Sequence, residues 1–191
     1  MQRWTFLTCA CAVLAGTMAV STTSIIPPTF DEMVSKADVI FLGAVVDQRS
    51  EWEPHPEGGR SIITHVTFDV ERVLKGHVGL RTQLTFLGGT MGDLAMKVAD
   101  MPEFTIGERN VLFVSPDQNA ASPLVGFAYG RFRVTRDPVT GGDQIRTHDG
   151  RSLASTTDVG RSILPTLQSV RPMAYGEFEA AIKQRVALLR K

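Results

Sequence analysis

The residues best suited to chemistry cluster in one polar stretch. Glu51, Trp52, Glu53, His55 and Glu57 fall within Gln48 to Gly59, which also holds Pro54, Pro56 and a Gly-Gly pair. That composition predicts a long loop between strands. Carboxylates gathered around an imidazole suit Zn or Mn, and a loop of this kind can bring them together. The same residues also describe a hydrophilic surface loop, and loops carry contact surfaces more often than they carry metals. The five residues are therefore read as a contact surface for a protein partner. A metal-assisted hydrolase built on Glu51 to Glu57 is the alternative.

Other constellations carry less. His65 and Asp69 share a strand face, but four strand residues span ~13 Å. One zinc ion cannot take both ligands at ~2 Å. Gly88-Gly89-Thr90-Met91-Gly92-Asp93 lacks the lysine and the following helix of a phosphate loop, so it reads as a turn. No Gly-x-Ser-x-Gly occurs, and Gly160-Arg161-Ser162 does not continue to glycine. No His-Glu-x-x-His occurs either. The four histidines leave little material for acid–base work. The sequence therefore points to no catalytic set, no resident metal and no cofactor.

The elements around these residues read mainly as strands. Thr29 and Glu32 form a capping box that opens a short helix, about Phe30 to Lys36. Val39 to Val46 is almost wholly apolar, which suits a strand buried on both faces, and Gly43 suggests a bulge there. Ile62 to Val70 alternates cleanly, with Ile62, Thr64, Val66, Phe68 and Val70 on one face. Thr82 to Leu87, Leu94 to Val98 and Asn110 to Val114 read as further strands. In Leu124 to Val134, Gly126, Ala128 and Gly130 form a strip of small residues, as if something bulky crossed that strand. Asp149-Gly150 predicts a tight hairpin turn between Ile145–His148 and Arg151–Leu153. Glu177 to Leu189 is helical, with Phe178, Ala181, Ile182, Val186 and Leu189 on one stripe.

Short, closely spaced strands with a helix at each end predict a mainly β fold, a small OB-like barrel over residues 29–155. A β-sandwich is the alternative. Residues 173–190 form an amphipathic helix packed on or beside it.

Composition narrows the function. Hydrophobic residues make up 43% of the chain, and 20 basic residues face 20 acidic ones. Neutral charge and 7% aromatics speak against nucleic acid and against an anionic membrane.

Residues 1–21 read as a signal peptide. Arg3 precedes an apolar run from Trp4 to Val20, diluted by three threonines, and small residues close it. The run is short of the ~20 apolar residues of a spanning helix. Cleavage after Ser21 is the first expectation and after Ala19 the second. Both cysteines, Cys9 and Cys11, lie inside the removed segment. The mature, exported chain then has no disulfide, no thiolate metal site and no cysteine nucleophile.

Several of these segments together resemble a set of small exported bacterial proteins. Ala37-Asp38-Val39-Ile40 with Gly43 and Val45-Val46 is similar to their first strand. Val66-x-Phe68-x-Val70-x-x-Val73-Leu74-Lys75-Gly76 and Phe104-x-x-Gly107-Glu108 with Val111-Leu112-Phe113 fit the same set. So do the Gly88-Gly89-Thr90-x-Gly92 segment and Gly126 to Val134. A weaker similarity, in strand order and in the Leu-Lys-Gly and Gly-Glu elements, leads to netrin-like domains, which include the tissue inhibitors of metalloproteinases. That resemblance implies an OB-type barrel and regulation of an exported protease. Those inhibitors act through a cysteine at the mature N-terminus, which this chain lacks. The resulting expectation is an exported, non-enzymatic binding module, periplasmic or extracellular, with a protein partner.

Intact-mass measurement of the secreted protein checks the first step. The expected N-terminus is Thr22 with no cysteine present. A retained, acylated Cys9 would instead mean a lipid-anchored protein.

Overall fold

The computed structural model describes residues 26–54, 58–115, 121–161 and 171–190. The expected signal peptide, with Cys9 and Cys11, lies outside them. So do His55 and Glu57.

Eight strands and two helices make up the described chain. They run α1 (Phe30–Lys36), β1 (Val39–Pro54), β2 (Arg60–Lys75), β3 (Arg81–Leu87), β4 (Gly89–Met91), β5 (Leu94–Met96), β6 (Arg109–Val114), β7 (Arg131–Arg136), β8 (Asp143–Arg146) and α2 (Tyr175–Leu189). Six strands form one antiparallel sheet in the order β3-β2-β1-β6-β7-β8, and β4 pairs with β5 separately. The mainly β expectation holds. Among the described residues the sheet is open, since no pairing joins β3 to β7 or β8.

Local chemistry explains several boundaries. Thr29 Oγ1 accepts from the Glu32 N–H at 3.3 Å, and Glu32 Oε2 accepts from the Thr29 N–H at 2.8 Å. This is the capping box, and it satisfies two helix-start donors. The other end of α1 is held by Lys75, which donates to the carbonyls of Val34 (2.7 Å) and Ser35 (3.2 Å). A cation there also meets the negative end of the helix. Gly76 follows with φ of 72°, and a Cβ on it would lie 2.3 Å from the Asp38 carbonyl oxygen. Leu74 is buried among the helix-side residues. The Leu-Lys-Gly element is thus a core residue, a helix cap and a close backbone approach.

Two segments differ from their sequence-based reading. The polar stretch from Gln48 is not a loop. β1 continues to Pro54, with Ser50 opposite Thr64, Trp52 opposite Ile62 and Pro54 opposite Arg60. The ladder to β2 supplies an order that polarity and prolines alone do not encode. Leu124 to Val134 is not a continuous strand. Leu124 makes one bridge to Val114, and a 3-10 turn, Phe127–Gly130, precedes β7. Gly126 and Phe127 both have positive φ, 67° and 57°. The small residues serve a tight turn there, not a surface crossed by a bulky partner.

The Asp-Gly hairpin forms, with Arg146 bridged to Ser152 and the Gly150 N–H donating to Thr147 at 2.9 Å. Leu94 to Met96 is only the short arm of the β4–β5 hairpin.

The sheet buries apolar residues on both faces. On one face α1 and α2 pack Phe30, Met33, Phe178 and Ile182 against Ile40, Phe113 and Phe132. Phe178 lies 4.9 Å from Phe132 between ring centroids. The other face gathers Phe41, Val45, Phe68, Phe86 and Phe104. The C-terminal helix therefore shares a core with the sheet. Its buried stripe is Phe178, Ile182 and Val186, while Leu189 is exposed. Glu179, also buried, accepts from Arg72 (3.1 Å) and Lys183 (2.5 Å).

Urea unfolding distinguishes these roles. Phe178→Ala is expected to cost about 3–5 kcal/mol. Gly76→Ala is expected to cost more than about 1 kcal/mol, because the Cβ meets backbone. Val139→Ala, at 91% exposure, should stay within about 0.5 kcal/mol.

Candidate functional site

Strand alternation divides the expected contact residues. Glu51 and Glu53 lie on one face of β1, and Trp52 lies on the other. The Arg60 guanidinium sits 5.4 Å from the Trp52 ring centroid, a cation–π contact at the outer end of the hairpin. Glu51, Trp52 and Glu53 therefore do not converge on one point.

Glu51 instead joins His65 and Thr85 across three strands. His65 Nε2 lies 3.0 Å from Glu51 Oε1, and its Nδ1 lies 2.9 Å from Thr85 Oγ1. The hydrogen bond from His65 holds the Glu51 carboxylate below its ordinary range. An acid, an imidazole and a hydroxyl in line invite comparison with a nucleophilic triad. Here they lie on the outer face of a flat ladder and line none of the three cavities described below. The row works as a cross-strand polar tie. Asp69, expected beside His65, pairs with Arg81 at 2.6 Å instead. Among the described residues no group of three His, Cys, Asp or Glu side chains is close enough to hold a metal ion.

The opposite face carries a groove of about 730 Å³. Val66, Phe86 and Phe104 line it, with Met96, Val98 and Ile106 also apolar. Ile106 is 63% exposed. Thr64 Oγ1 lies 2.9 Å from Ser50 Oγ and donates to the Gly88 carbonyl at 2.6 Å. Trp52 shares this strand face farther out. Sequence reading missed the groove because its walls come from β1, β2, the end of β3, the β4–β5 hairpin and the segment after it.

β3 borders the groove and forms one margin of the sheet. The Val70 N–H donates to the Leu80 carbonyl at 2.7 Å, which fixes the hydrogen-bonding phase of the β2–β3 ladder. Leu80, Thr82, Leu84 and Phe86 then bond inward to β2. Arg81, Gln83, Thr85 and Leu87 turn their backbone groups outward. The Leu87 N–H does so, donating to the Ala121 carbonyl at 2.8 Å. No strand among the described residues pairs with Gln83 or Thr85 from outside. The far margin is closed differently. The Ile145 N–H donates to Met173, the Met173 N–H to Leu153 and the Leu153 N–H to Ile145, so β8 is covered.

A second polar cluster surrounds the 3-10 turn. Arg131 is 4% exposed. It donates to Asn110 Oδ1 (2.8 Å), to Glu108 Oε2 (2.5 Å) and to the Glu103 carbonyl, and it stacks on Phe104 at 4.6 Å. Burial pulls its guanidinium down to about 10, against the opposing pull of Glu108. His148 meets Tyr129 edge-on at 4.6 Å, and burial pushes its imidazole below its ordinary 6.5. His148 borders a cavity of about 350 Å³ on one side and one of about 330 Å³ on the other. The Gly-Glu element of the sequence contributes Glu108 here, and its only advance signal was its place in the resemblance.

Comparison with protein-family models and with curated proteins finds no match to this chain. Among the described residues no helix is long and apolar enough to cross a membrane.

His148 gives a pH test. A depressed folded value means the unfolded chain binds the proton more readily, so the contribution is full above 6.5 and fades as pH falls through the folded value. Urea unfolding from about pH 8 to about pH 5 should show wild type losing stability on the acid side relative to His148→Gln. Parallel curves would exclude a buried, neutral His148.

Proposed function

We propose that this protein is an exported, non-enzymatic binding module that captures an extended segment of a protein partner along β3. One observation carries this reading. Among the described residues no strand pairs with the outward backbone groups of Gln83 and Thr85 on β3, directly beside an apolar groove lined by its own Phe86. An added strand would gain main-chain hydrogen bonds from the edge, and its alternate side chains would enter the groove. Open edges are otherwise blunted by lysine, proline or bulges, and β3 has none of these between Thr82 and Leu87.

The β1–β2 hairpin extends the same face. Trp52 and Arg60 at its outer end are suited to contact the partner beyond the groove, with Glu51 and Glu53 on the reverse side. His55 and Glu57, which the sequence assigns to the contact surface, lie outside the described residues. The metal-assisted alternative gains no support from Glu51, whose carboxylate is engaged with His65.

The finer fold reading is a partly open OB-type barrel related to netrin-like domains. It is supported by the long, bulged β1, shared between β2 and β6, and by the second core that fills the inner face. With the signal peptide, this favours an exported partner, and a protease is the first class to examine.

Thr85→Pro tests the edge. Thr85 turns its N–H outward, so proline removes a donor without breaking the β2 ladder. Pull-down of the mature protein's partner from its own envelope or culture fluid should weaken at least about fivefold. The far-ultraviolet circular dichroism should not change. Undiminished capture by a folded Thr85→Pro protein would refute strand addition.

A further inference from the structure

The cavity of about 330 Å³ lies between the 101–108 segment and β7, and it shares Met101, Pro102 and Glu103 with the margin of the groove. Glu108, Arg131, Arg133 and His148 supply its charged and titratable wall, together with Glu103. The two arginines differ sharply in what holds them. Arg131 has three hydrogen-bond partners and a ring beneath it. The Arg133 side chain makes no hydrogen bond with any described residue. Its Nη1 stands 3.6 Å from Glu108 Oε1, and its Nε is buried without a partner. A Cβ on Gly150 would lie 2.6 Å from Arg133 Nη2, so the 148–150 turn closes over that side chain.

One carboxylate thus serves two guanidiniums. Glu108 gives Oε2 to Arg131 at 2.5 Å, and Oε2 also accepts from the Thr105 N–H at 3.2 Å. Glu103 is exposed and solvated, and Arg131 takes its backbone carbonyl. His148 has no hydrogen-bond partner among the described residues, only its edge contact with Tyr129. The cavity therefore presents unused donors, from Arg133 and from the imidazole, beside the fixed positive charge of Arg131. Two guanidiniums so close repel each other, which disfavours a cation in the cavity and favours an anion. The size is at the small end for ligand pockets, so the guest is a small molecule and not a chain. The planar guanidinium matches the two oxygens of a carboxylate.

We propose that this cavity binds the carboxylate group of a small organic acid, with Arg133 and His148 contacting it and Arg131 supplying fixed charge. Glu108 holds Arg131 in place and leaves Arg133 to the ligand. The role of Arg133 is binding, so its removal spares the fold of the empty protein.

Titration calorimetry and thermal shift on the mature protein test this, with succinate, citrate and inorganic phosphate as probes at matched ionic strength. Saturable binding of succinate or citrate is expected, at about 1 mM or tighter. Arg133→Gln should weaken it tenfold or more, and Arg133→Lys should recover part of it through charge alone. The empty Arg133→Gln protein should melt no lower than wild type, because no hydrogen bond is lost and the 3.6 Å ion pair to Glu108 is long and partly exposed. Three results would overturn the proposal. They are no saturable binding of either acid, phosphate binding without carboxylate binding, or an Arg133→Gln protein that melts clearly lower than wild type.

Discussion

Everything in this molecule hangs on how β1 is bent. Over Ile40–Ala44 it pairs with β2 on one side and β6 on the other. It also feeds both cores. Ile40 and Leu42 go to the helix side, and Phe41 and Val45 go to the inner face. Its register against β2 shifts at three places, near Ile40, Leu42 and Val45. Each shift adds a residue on one strand and bends the pair. At the middle one, a Cβ on Gly43 would approach the Asp69 carbonyl at 3.0 Å and Phe41 at 3.0 Å, so the bend needs the bare backbone. Two separate apolar clusters can then share a single sheet.

The bend also aims charges. The shift opposite Gly43 leaves Glu71 without a ladder partner in β1. Its carboxylate takes Arg109 in a two-point contact, Nε at 3.0 Å and Nη2 at 2.8 Å. Arg109 Nη1 reaches on to Asp143 at 2.7 Å. One guanidinium on β6 thereby ties β2 to β8 across the sheet, and both carboxylates raise its pKa. The third shift, beyond Val45, sets which residues of the outer hairpin face the groove. It places Gln48 and Ser50 there, with Trp52 farther out on the same face, and turns Glu51 toward His65.

The two proposed binding regions have different physical characters, although they adjoin at Met101, Pro102 and Glu103. The β3 edge and its groove combine main-chain hydrogen bonds with apolar surface, which suits an extended chain. The arginine cavity is small, polar and built on β7 and the turns beside it. Arg131 connects them structurally, because Phe104 lies under its guanidinium and also lines the groove.

The sequence by itself determined the local elements. The capping box at Thr29, the alternation of Ile62 to Val70, the hairpin at Asp149-Gly150 and the stripe of α2 all rest on residues within a few positions of each other. It misjudged Gln48 to Pro54 and Leu124 to Gly130. In the first case polarity and proline suggested a loop, and only the facing residues 60–66 make it a strand. In the second the alternation of small residues suited a strand, and only the crowding of Gly130 against Val125 shows the turn. Tertiary structure alone assembled the sites. Arg131 and Glu108 are 23 residues apart, and His65 and Thr85 are 20 apart. The phase of the β3 edge likewise follows from the β2–β3 register, in which the Val70–Leu80 and Gly88–Ile62 hydrogen bonds agree. Such pairings follow from strand register and bulges, which are settled by both cores at once and leave no periodic trace in the chain.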